Sequence, residues 1–303
     1  MRTILGAAAL FVLTVSPTLT IAAIIIVPDD FPTVQAAVDA AMPGDTVQVR
    51  PGVYVEAVLI PEEKTNLTLE GLGGRPTLAP ATSADVVRID EADGVIFRGF
   101  EVQGGRIGVR IDDAISATVS DVVISGTSRD GVRVKKGSVT VDSSNITGAT
   151  GGRCIRVERA PGSQVNGNIV SGCSNEGIRV KSSDGTALSG NDSDGNGADG
   201  ILIQSSDLTT VTQNGALGNS GRGIRVKASP GSTVDDNEAD GNLRSGIFVE
   251  RSESTAVTNN DADNNSEYGI QVKKSPPIAT VADLMAAGNT ATGNAIADFL
   301  VVP

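Results

Sequence analysis

The sequence predicts an all-β fold: a parallel β-helix solenoid with 23-residue coils, three sheets and a short N-terminal capping helix. Two observations predict it. A five-residue phrase, Gly-(Ile/Val)-X-(Val/Ile)-polar, returns every 23 residues from Gly108 to Gly269, with Cys154 once in place of the glycine. Its second and fourth residues are always β-branched aliphatics, which is the alternation of a short strand with one buried face. Repeats at constant spacing indicate stacked structural units.

Each coil also contains a second and a third short strand. After the phrase comes another apolar position, such as Val165 or Val211, and an asparagine follows it three residues later. Stacking the coils about 4.8 Å apart turns the three strands into three parallel sheets. The asparagines then form a column, which predicts a ladder of side-chain amides at a tight corner. The predicted ladder contains Asn145, Asn168, Asn191, Asn214, Asn237 and Asn260.

Residues 1–22 are predicted to be an export signal. Arg2 precedes an apolar run from Ile4 to Val15, and Pro17 and small residues up to Ala22 follow it. A membrane anchor is the alternative, but Pro17 shortens the run below the roughly 20 residues that a span needs. We therefore expect a secreted, periplasmic or cell-surface protein with no membrane span after signal removal.

Residues 23–303 are predicted to form a single β-helix domain. Within it, residues 31–41 have the apolar spacing of a short amphipathic helix, which we expect to cap the open N-terminal end of the stack. Residues 108–275 hold the regular coils. Residues 276–303 break the period and form an irregular last coil and C-terminal cap. Because no long cap follows, the C-terminal edge is expected to be covered by this irregular segment or by self-association.

The stretch from Thr33 to Ile60, followed by the segment NLTLEG, resembles the N-terminal signature of the pectin-lyase-like superfamily. The Gly-Ile-X-Val repeats are similar to those of its carbohydrate-binding and sugar-hydrolase β-helix group. The resemblance covers nearly all of residues 23–303 and implies a right-handed β-helix. It also implies that the sheet carrying the repeated phrase lines a polysaccharide cleft.

Composition limits the function classes. The formal net charge is −12 and no run of basic residues occurs, so nucleic acid is not an expected partner. The chain contains no histidine, which removes the commonest general acid-base residue and departs from the polygalacturonases and mannuronan epimerases that it resembles. Cys154 takes the glycine position of its coil, and Cys173 lies four residues before Gly177, which should stack over Cys154. Whether the two cysteines form a disulfide is left open.

The middle residue of the repeated phrase points outward and is usually arginine. Stacked guanidinium groups repel one another, and a repeating row of them matches the carboxylates or sulfates of an acidic polysaccharide. Phe248 and Tyr268 are candidates for stacking on a sugar ring. The alternative is a solvated sheet whose arginines pair with acids from the turns. The candidate ligand-binding residues are Arg110, Arg133, Arg156, Arg179, Arg225, Phe248 and Tyr268.

A second polar column is acidic and lies on the third strand. Asp192, Asp194, Asp240 and Asp263 are candidate ligands of a hard cation such as Ca²⁺, because carboxylates on neighbouring coils lie close together. Solvated turn acids are the alternative. No glutamate stands at the twelfth position of the segment that starts at Asp192, so this segment is not an EF-hand loop.

Two functional hypotheses follow. In the first, an exported β-helix binds an acidic polysaccharide along the arginine-lined sheet and cleaves it by β-elimination if it is a polysaccharide lyase, a reaction that needs no histidine. No catalytic residue is assigned, and whether the protein is an enzyme is left open. In the second, the protein is a noncatalytic envelope or adhesion rod that self-associates through its C-terminal edge.

Overall fold

The computed structural model describes residues 22–278 and 280–302. The predicted export signal therefore lies, apart from Ala22, outside the described residues and stays a prediction. The predicted β-solenoid is confirmed: the chain winds through about 11 turns of roughly 23 residues each. Neighbouring strands pair in parallel and in register, as in Ile155–Ile178 and Val157–Val180.

Each coil contributes up to three strands, and these stack into a first, a second and a shorter third sheet. The first sheet contains β4 (Val58–Ile60), β7 (Val87–Asp90), β10 (Val109–Ser120), β12 (Val132–Asp142), β14 (Ile155–Glu158), β17 (Ile178–Lys181), β20 (Ile201–Gln204), β22 (Ile224–Lys227), β24 (Ile247–Glu250), β26 (Tyr268–Lys273) and β27 (Ala297–Val302). Strands β10 and β12 continue into the second sheet and join the two into one 20-stranded sheet.

The second sheet contains β1 (Ile24–Val27), β2 (Thr46–Val49), β5 (Thr68–Gly71), β8 (Ile96–Arg98), β15 (Gln164–Asn166), β18 (Ala187–Ser189), β21 (Thr210–Thr212), β23 (Thr233–Asp235) and β25 (Ala256–Thr258). The third contains β3 (Val53–Tyr54), β6 (Thr77–Leu78), β9 (Glu101–Gln103), β11 (Val123–Ser125), β13 (Asn145–Thr147), β16 (Ile169–Ser171) and β19 (Asp192–Asp194). Beyond β19 the third strand shrinks to single bridges that link Asp192, Gly215, Glu238, Asp261 and Thr290.

The aliphatic residues of the repeated phrase form the core, as the alternation predicts. In β17, Ile178 and Val180 are fully buried, and Arg179 between them is on the outer face. Val165 and Leu188 stack in the second sheet and are also fully buried. Burying each such side chain stabilises the fold by roughly 1.5–3 kcal/mol. The continuous stack of these layers holds the outer faces of the sheets in place.

The asparagine ladder lies at the corner between the second and third strands. Asn191 is fully buried, and its backbone N–H and its Nδ2 donate to Oδ1 of Asn214 at 3.0 and 2.9 Å. The same pattern links the ladder from Asn168 to Asn289. The prediction for Asn145 is wrong, because Asn145 is an exposed residue of β13 and Ser144 takes the corner position. Val141 is the residue that stacks on Val165, and the corner comes three residues after it.

A second asparagine ladder, absent from the sequence-based prediction, lies at the corner between the third and first strands. In each coil it stands five residues after the first ladder, and its backbone N–H to Oδ1 distances are 2.8–2.9 Å. Its members are Asn196, Asn219, Asn242, Asn265 and Asn294. The ladder ends on Cys173, whose N–H donates to Oδ1 of Asn196 at 3.2 Å. Cys173 is bonded to Cys154 in a disulfide with 5.7 Å between the Cα atoms.

The N-terminal end of the stack is covered by helix α1 (Val34–Ala40), which is shorter than the predicted range 31–41. The side chain of Thr33 accepts the N–H of Ala36, and the carboxylate of Glu56 accepts two further N–H groups at the start of the helix. At its end, Nζ of Lys64 donates to two backbone carbonyls at 2.7 and 2.8 Å. These contacts satisfy the free backbone groups of a short helix that could not persist alone.

The irregular C-terminal segment contains a second helix, α2 (Val281–Ala286), between β26 and β27. Thr280 and Asp283 form a capping box at its start. The extra residues lengthen the spacing of the asparagine ladder from 23 to 29 residues at the step from Asn260 to Asn289. The ladder thus continues across the insertion, and β27 adds one more parallel strand on β26.

Candidate functional site

The outward residues of the first sheet form the column predicted from the sequence, which we call the arginine column. Arg110, Arg133, Arg156 and Arg179 are in register on successive strands. Arg88 extends the column by one coil on the N-terminal side. Leu202 interrupts it, and Arg225, Phe248 and Gln271 continue it toward the C-terminus.

Two further columns flank the arginine column. The column two residues after each member contains Asp90, Asp112, Lys135, Glu158, Lys181, Gln204, Lys227, Glu250 and Lys273. The sequence-based prediction missed the other one, three residues before each member, although it has the same 23-residue spacing. It contains Asp85, Ile107, Asp130, Arg153, Glu176, Asp199, Arg222, Ser245 and Tyr268.

Two of the predicted arginines pair with carboxylates of their own or an earlier coil. Arg110 donates from Nε to Oδ2 of Asp112 at 2.6 Å and from Nη1 to Oδ2 of Asp85 at 3.2 Å. Arg156 donates to Oε2 of Glu158 at 2.8 Å. Burial disfavours the charge of Asp85, but its arginine partners outweigh burial and lower the pKa of this carboxyl.

Two more arginines find their partner on the coil above. Nη2 of Arg179 donates to Oε1 of Gln204 at 3.0 Å, and its Nη1 lies 3.9 Å from Glu176. Nη2 of Arg225 donates to Oε1 of Glu250 at 2.6 Å. The flanking columns thus supply Arg225 with a carboxylate, whereas the hydrogen-bond acceptor of Arg179 is an uncharged amide and its nearest carboxylate lies 3.9 Å away.

Arg133 is the exception. No carboxylate oxygen of the described residues lies within 4.0 Å of its guanidinium. Its buried Nε has no acceptor, which is also true of Arg179 and Arg225, but those two donate through Nη2 and, within the described part of the chain, Arg133 does not. Lys135 stands where Arg110 and Arg156 have an acid. Oδ1 of Asp130, on the other side, accepts the backbone N–H of Arg153 at 3.1 Å. Burial, followed by the charge of Arg156, lowers the pKa of Arg133.

The charge around Arg133 is positive although the protein is acidic. Six cations and three carboxylates occupy the three columns over the strands β12, β14 and β17, a formal excess of three positive charges. We call this set the basic patch: Arg133, Lys135, Arg153, Arg156, Arg179 and Lys181, with Asp130, Glu158 and Glu176. Neighbouring coils are about 4.8 Å apart, so the patch extends along roughly 10 Å of the solenoid.

The aromatic ring of Phe248 is already covered. Only 4% of the residue is exposed, and the guanidinium of Arg222 lies 4.6 Å from the ring centroid. The charged groups of Lys273 and Arg225 lie 5.7 and 5.8 Å away. Cation–π attraction thus occupies the face on which a sugar was predicted to stack. Tyr268 is half-buried at the C-terminal end of the column that the prediction missed.

Three of the four acidic residues predicted to bind a cation accept backbone hydrogen bonds. Oδ1 of Asp194 accepts the N–H of Leu217 at 2.8 Å, and Oδ1 of Asp240 accepts the N–H of Asp263 at 2.7 Å. Asp263 accepts the N–H of Thr292 in the same way at 2.6 Å, whereas Asp192 is exposed. Within the described ranges, no three His, Cys, Asp or Glu residues cluster in a way that could hold a metal ion. Each of these hydrogen bonds links one coil to the next and uses only one oxygen of the carboxylate, and the cation site stays a prediction.

A family model described as "Right handed beta helix region" matches residues 85–224 and 153–301, together more than half of the chain. The chain belongs to the right-handed β-helix family. No curated protein matches its sequence. In the described part of this β-helix protein, no helix has both the length and the apolar character to cross a membrane.

Solved structures share the fold of this right-handed β-helix protein. The A-module of mannuronan C-5 epimerase AlgE4 of Azotobacter vinelandii matches with a TM-score of 0.58 and 14% identity, over 88% of this chain and 91% of that one. The catalytic unit of a GH87 α-1,3-glucanase from Streptomyces thermodiastaticus matches with a TM-score of 0.64 and 16% identity, over 89% and 64%. Pectate lyase Pel9A matches with a TM-score of 0.53 and 15% identity, over 91% and 80%. At these identities the likeness is one of fold.

Proposed function

We propose that this right-handed β-helix protein binds an acidic polysaccharide along the arginine column, with Arg133 at the centre of the site. The observation that carries the proposal is the unpaired guanidinium of Arg133 inside the basic patch. Its neighbours on the sheet are Lys135 and two further arginines, so an anion from outside is the counter-charge that this position lacks.

A polysaccharide fits this surface better than a single small anion does. The cations repeat at the spacing of the coils, and a chain with carboxylate or sulfate groups presents anions at regular intervals along one line. A guanidinium chelates either group through two parallel hydrogen bonds. An anion at Arg133 also offsets the repulsion from Arg156 and the loss of solvation that together lower the pKa of Arg133.

The structural relatives support a polysaccharide as the ligand class, since their names describe an epimerase of mannuronan, a glucanase and a pectate lyase. The disulfide between Cys154 and Cys173 supports export, because such bonds persist in oxidising compartments. A periplasmic alginate epimerase is among the proteins of similar fold. We therefore propose a periplasmic, secreted or cell-surface location.

The experiment is a binding titration of residues 23–303 against polygalacturonate, alginate, a sulfated glycan and a neutral glucan, at low and high salt and with and without Ca²⁺. We expect binding to the acidic chains only, weakened by salt. Arg133→Gln removes charge-assisted hydrogen bonds worth about 1.5–3 kcal/mol, which is about a 10- to 100-fold loss of affinity. Arg251→Gln is the matched control, because this arginine is exposed on a turn outside the patch.

Equal affinities of the two variants contradict the role of Arg133, and failure to bind any acidic chain at low salt contradicts the proposed function. The same titration detects cleavage by β-elimination, because the unsaturated products absorb in the ultraviolet. Constant absorbance with retained binding excludes cleavage by β-elimination.

A further inference from the structure

The last strand of the first sheet has one paired and one unpaired edge. Strand β27 pairs in parallel with β26, so that Phe299 lies on Ile270 and Val301 on Val272. Within the described residues no strand lies on its other side. Such an edge presents backbone donors and acceptors to any strand that can approach it.

The free donors and acceptors belong to alternate residues. In a parallel strand, the N–H and C=O of one residue point to the same neighbour, and those of the next residue point away. Lys274 N–H donates to the carbonyl of Val302 at 2.8 Å, so Val302 and the residues two and four before it face β26. Ala297, Phe299 and Val301 therefore direct their backbone groups away from the solenoid.

The same edge carries the last layer of the hydrophobic core. Phe299 and Val301 continue the stacks of the buried residues Ile270 and Val272, but both are only half-buried. Ile296 beside them is 60% exposed. Helix α2 contributes only Leu284 as a buried residue to this end. The end thus combines free backbone groups with incompletely covered apolar side chains.

The N-terminal end of the same sheet is closed. Val34, Ala37 and Val38 of helix α1 are fully buried against the first coils. The side-chain amide of Gln35 imitates a neighbouring strand: its Nε2 donates to Leu59 O at 3.1 Å, and its Oε1 accepts Leu59 N–H at 2.7 Å. The free edge of β4 is therefore blocked, and β27 of one molecule cannot extend the first sheet of another at its N-terminal end.

We infer that β27 pairs with β27 of a second copy, antiparallel about a two-fold axis, so that two solenoids join at their C-terminal ends. An isologous contact of this kind closes after two subunits, whereas the blocked head-to-tail contact would produce filaments. The three free residues of each strand are all used when the axis passes through Phe299, which places Ala297 opposite Val301. Asp298 then faces Leu300 of the partner, and no like charges meet.

The predicted contact is small and reversible. A stable interface buries about 1,200–2,000 Å². One pair of six-residue strands, with the apolar side chains beneath them, buries less than that. We therefore expect a monomer–dimer equilibrium that depends on protein concentration. The inference is independent of the proposed polysaccharide site.

The experiment is sedimentation analysis of residues 23–303 from low micromolar to near-millimolar concentration. Val301→Pro removes one outward-facing N–H, a change that an edge strand tolerates. Leu300→Asp and Leu300→Lys change a side chain on the outer face of the strand and introduce charges of opposite sign at the position that pairs with Asp298 of the partner. The carboxylate of Asp298 accepts the N–H and the Nδ2–H of Asn294 in its own chain and keeps its negative charge there.

We expect the wild type to form a dimer and Val301→Pro to stay a monomer. The dissociation constant of the dimer should rise about tenfold for Leu300→Asp and fall for Leu300→Lys, because each dimer contains the pair of residue 300 and Asp298 twice. Leu243→Lys, at an exposed corner, should dimerise like the wild type. Circular dichroism and melting curves verify that each variant is folded. A wild type that stays monomeric overturns the inference, as does assembly beyond the dimer, or equal dimerisation of the two Leu300 variants.

Discussion

The substitution Asn214→Ala tests the asparagine ladder where its hydrogen bonds are densest. Oδ1 of Asn214 accepts two donors of Asn191, and its Nδ2 donates to Leu188 O, Thr212 O and Asn237 Oδ1 at 2.9–3.2 Å. The residue is 1% exposed. Alanine therefore leaves polar groups of the coils above and below without partners in a site that excludes water.

The cost follows from the groups left unpaired. The backbone N–H of Asn191 loses its one acceptor among the described residues. The carbonyls of Leu188 and Thr212 and Oδ1 of Asn237 lose the amide that donates to them. Each buried unsatisfied group costs about 1–3 kcal/mol, so the free energy of unfolding should fall by about 2–6 kcal/mol. Asn145→Ala is the matched control: this asparagine is exposed on β13 and should cost less than about 0.5 kcal/mol.

Urea denaturation measures both variants, and hydrogen exchange follows the amide of Asn191 directly. Loss of protection at Asn191 in the folded Asn214→Ala protein, with no change in Asn145→Ala, is the expected result. Similar destabilisation by the two substitutions would refute the reasoning, because it would mean that the corner position does not determine the cost.

Three further predictions concern the charge pairs and the close packing of the coils. The pKa of Asp85 is lower in the folded protein than the value of about 3.9 in the unfolded chain. Its ion pairs therefore stabilise the fold at pH values above about 3.9, and this stability is lost as the pH falls through the folded pKa. Asp85→Asn should lower the urea midpoint at neutral pH, and the difference from the wild type should vanish in acid. Gly223→Ala places a Cβ 2.8 Å from the backbone oxygen of Gly246 and should lower the free energy of unfolding by about 1–3 kcal/mol, measured in urea. Lys135→Glu supplies Arg133 with the acid that its coil lacks and should weaken polyanion binding at least as much as Arg133→Gln.

The sequence was sufficient for the solenoid because its signals are periodic and local. Aliphatic alternation in the repeated phrase decides which face is buried, as Ile178 and Val180 illustrate. The register at Asn145 was not predictable in this way. The spacing between Val119 and Val141 is 22 residues and the next, to Val165, is 24, so counting by 23 shifts the corner by one residue.

The second ladder and the pairing of the arginines needed the three-dimensional structure for a different reason. Asn196 and its equivalents stand in Gly/Asn-rich turns, where asparagine is also expected for its backbone conformation alone. Its side-chain role becomes visible only when neighbouring coils are superposed. The partners of Arg179 and Arg225 lie 25 residues away on the next coil, so a charge count along one strand does not find them.

Arg133 lacks a carboxylate partner because two neighbouring columns of side chains have different periodicities. The arginine column repeats on every coil from β7 to β17, whereas the column beside it alternates in sign from Asp112 through Lys135 to Glu158. An arginine in a lysine row must therefore take its acceptor from the coil above, as Arg225 does from Glu250. For Arg133 that acceptor is Glu158, which Arg156 already holds at 2.8 Å. Structural pairing therefore does not account for an arginine in this row, and the repulsion from Arg156 that lowers the pKa of Arg133 is what the proposed anionic ligand would offset.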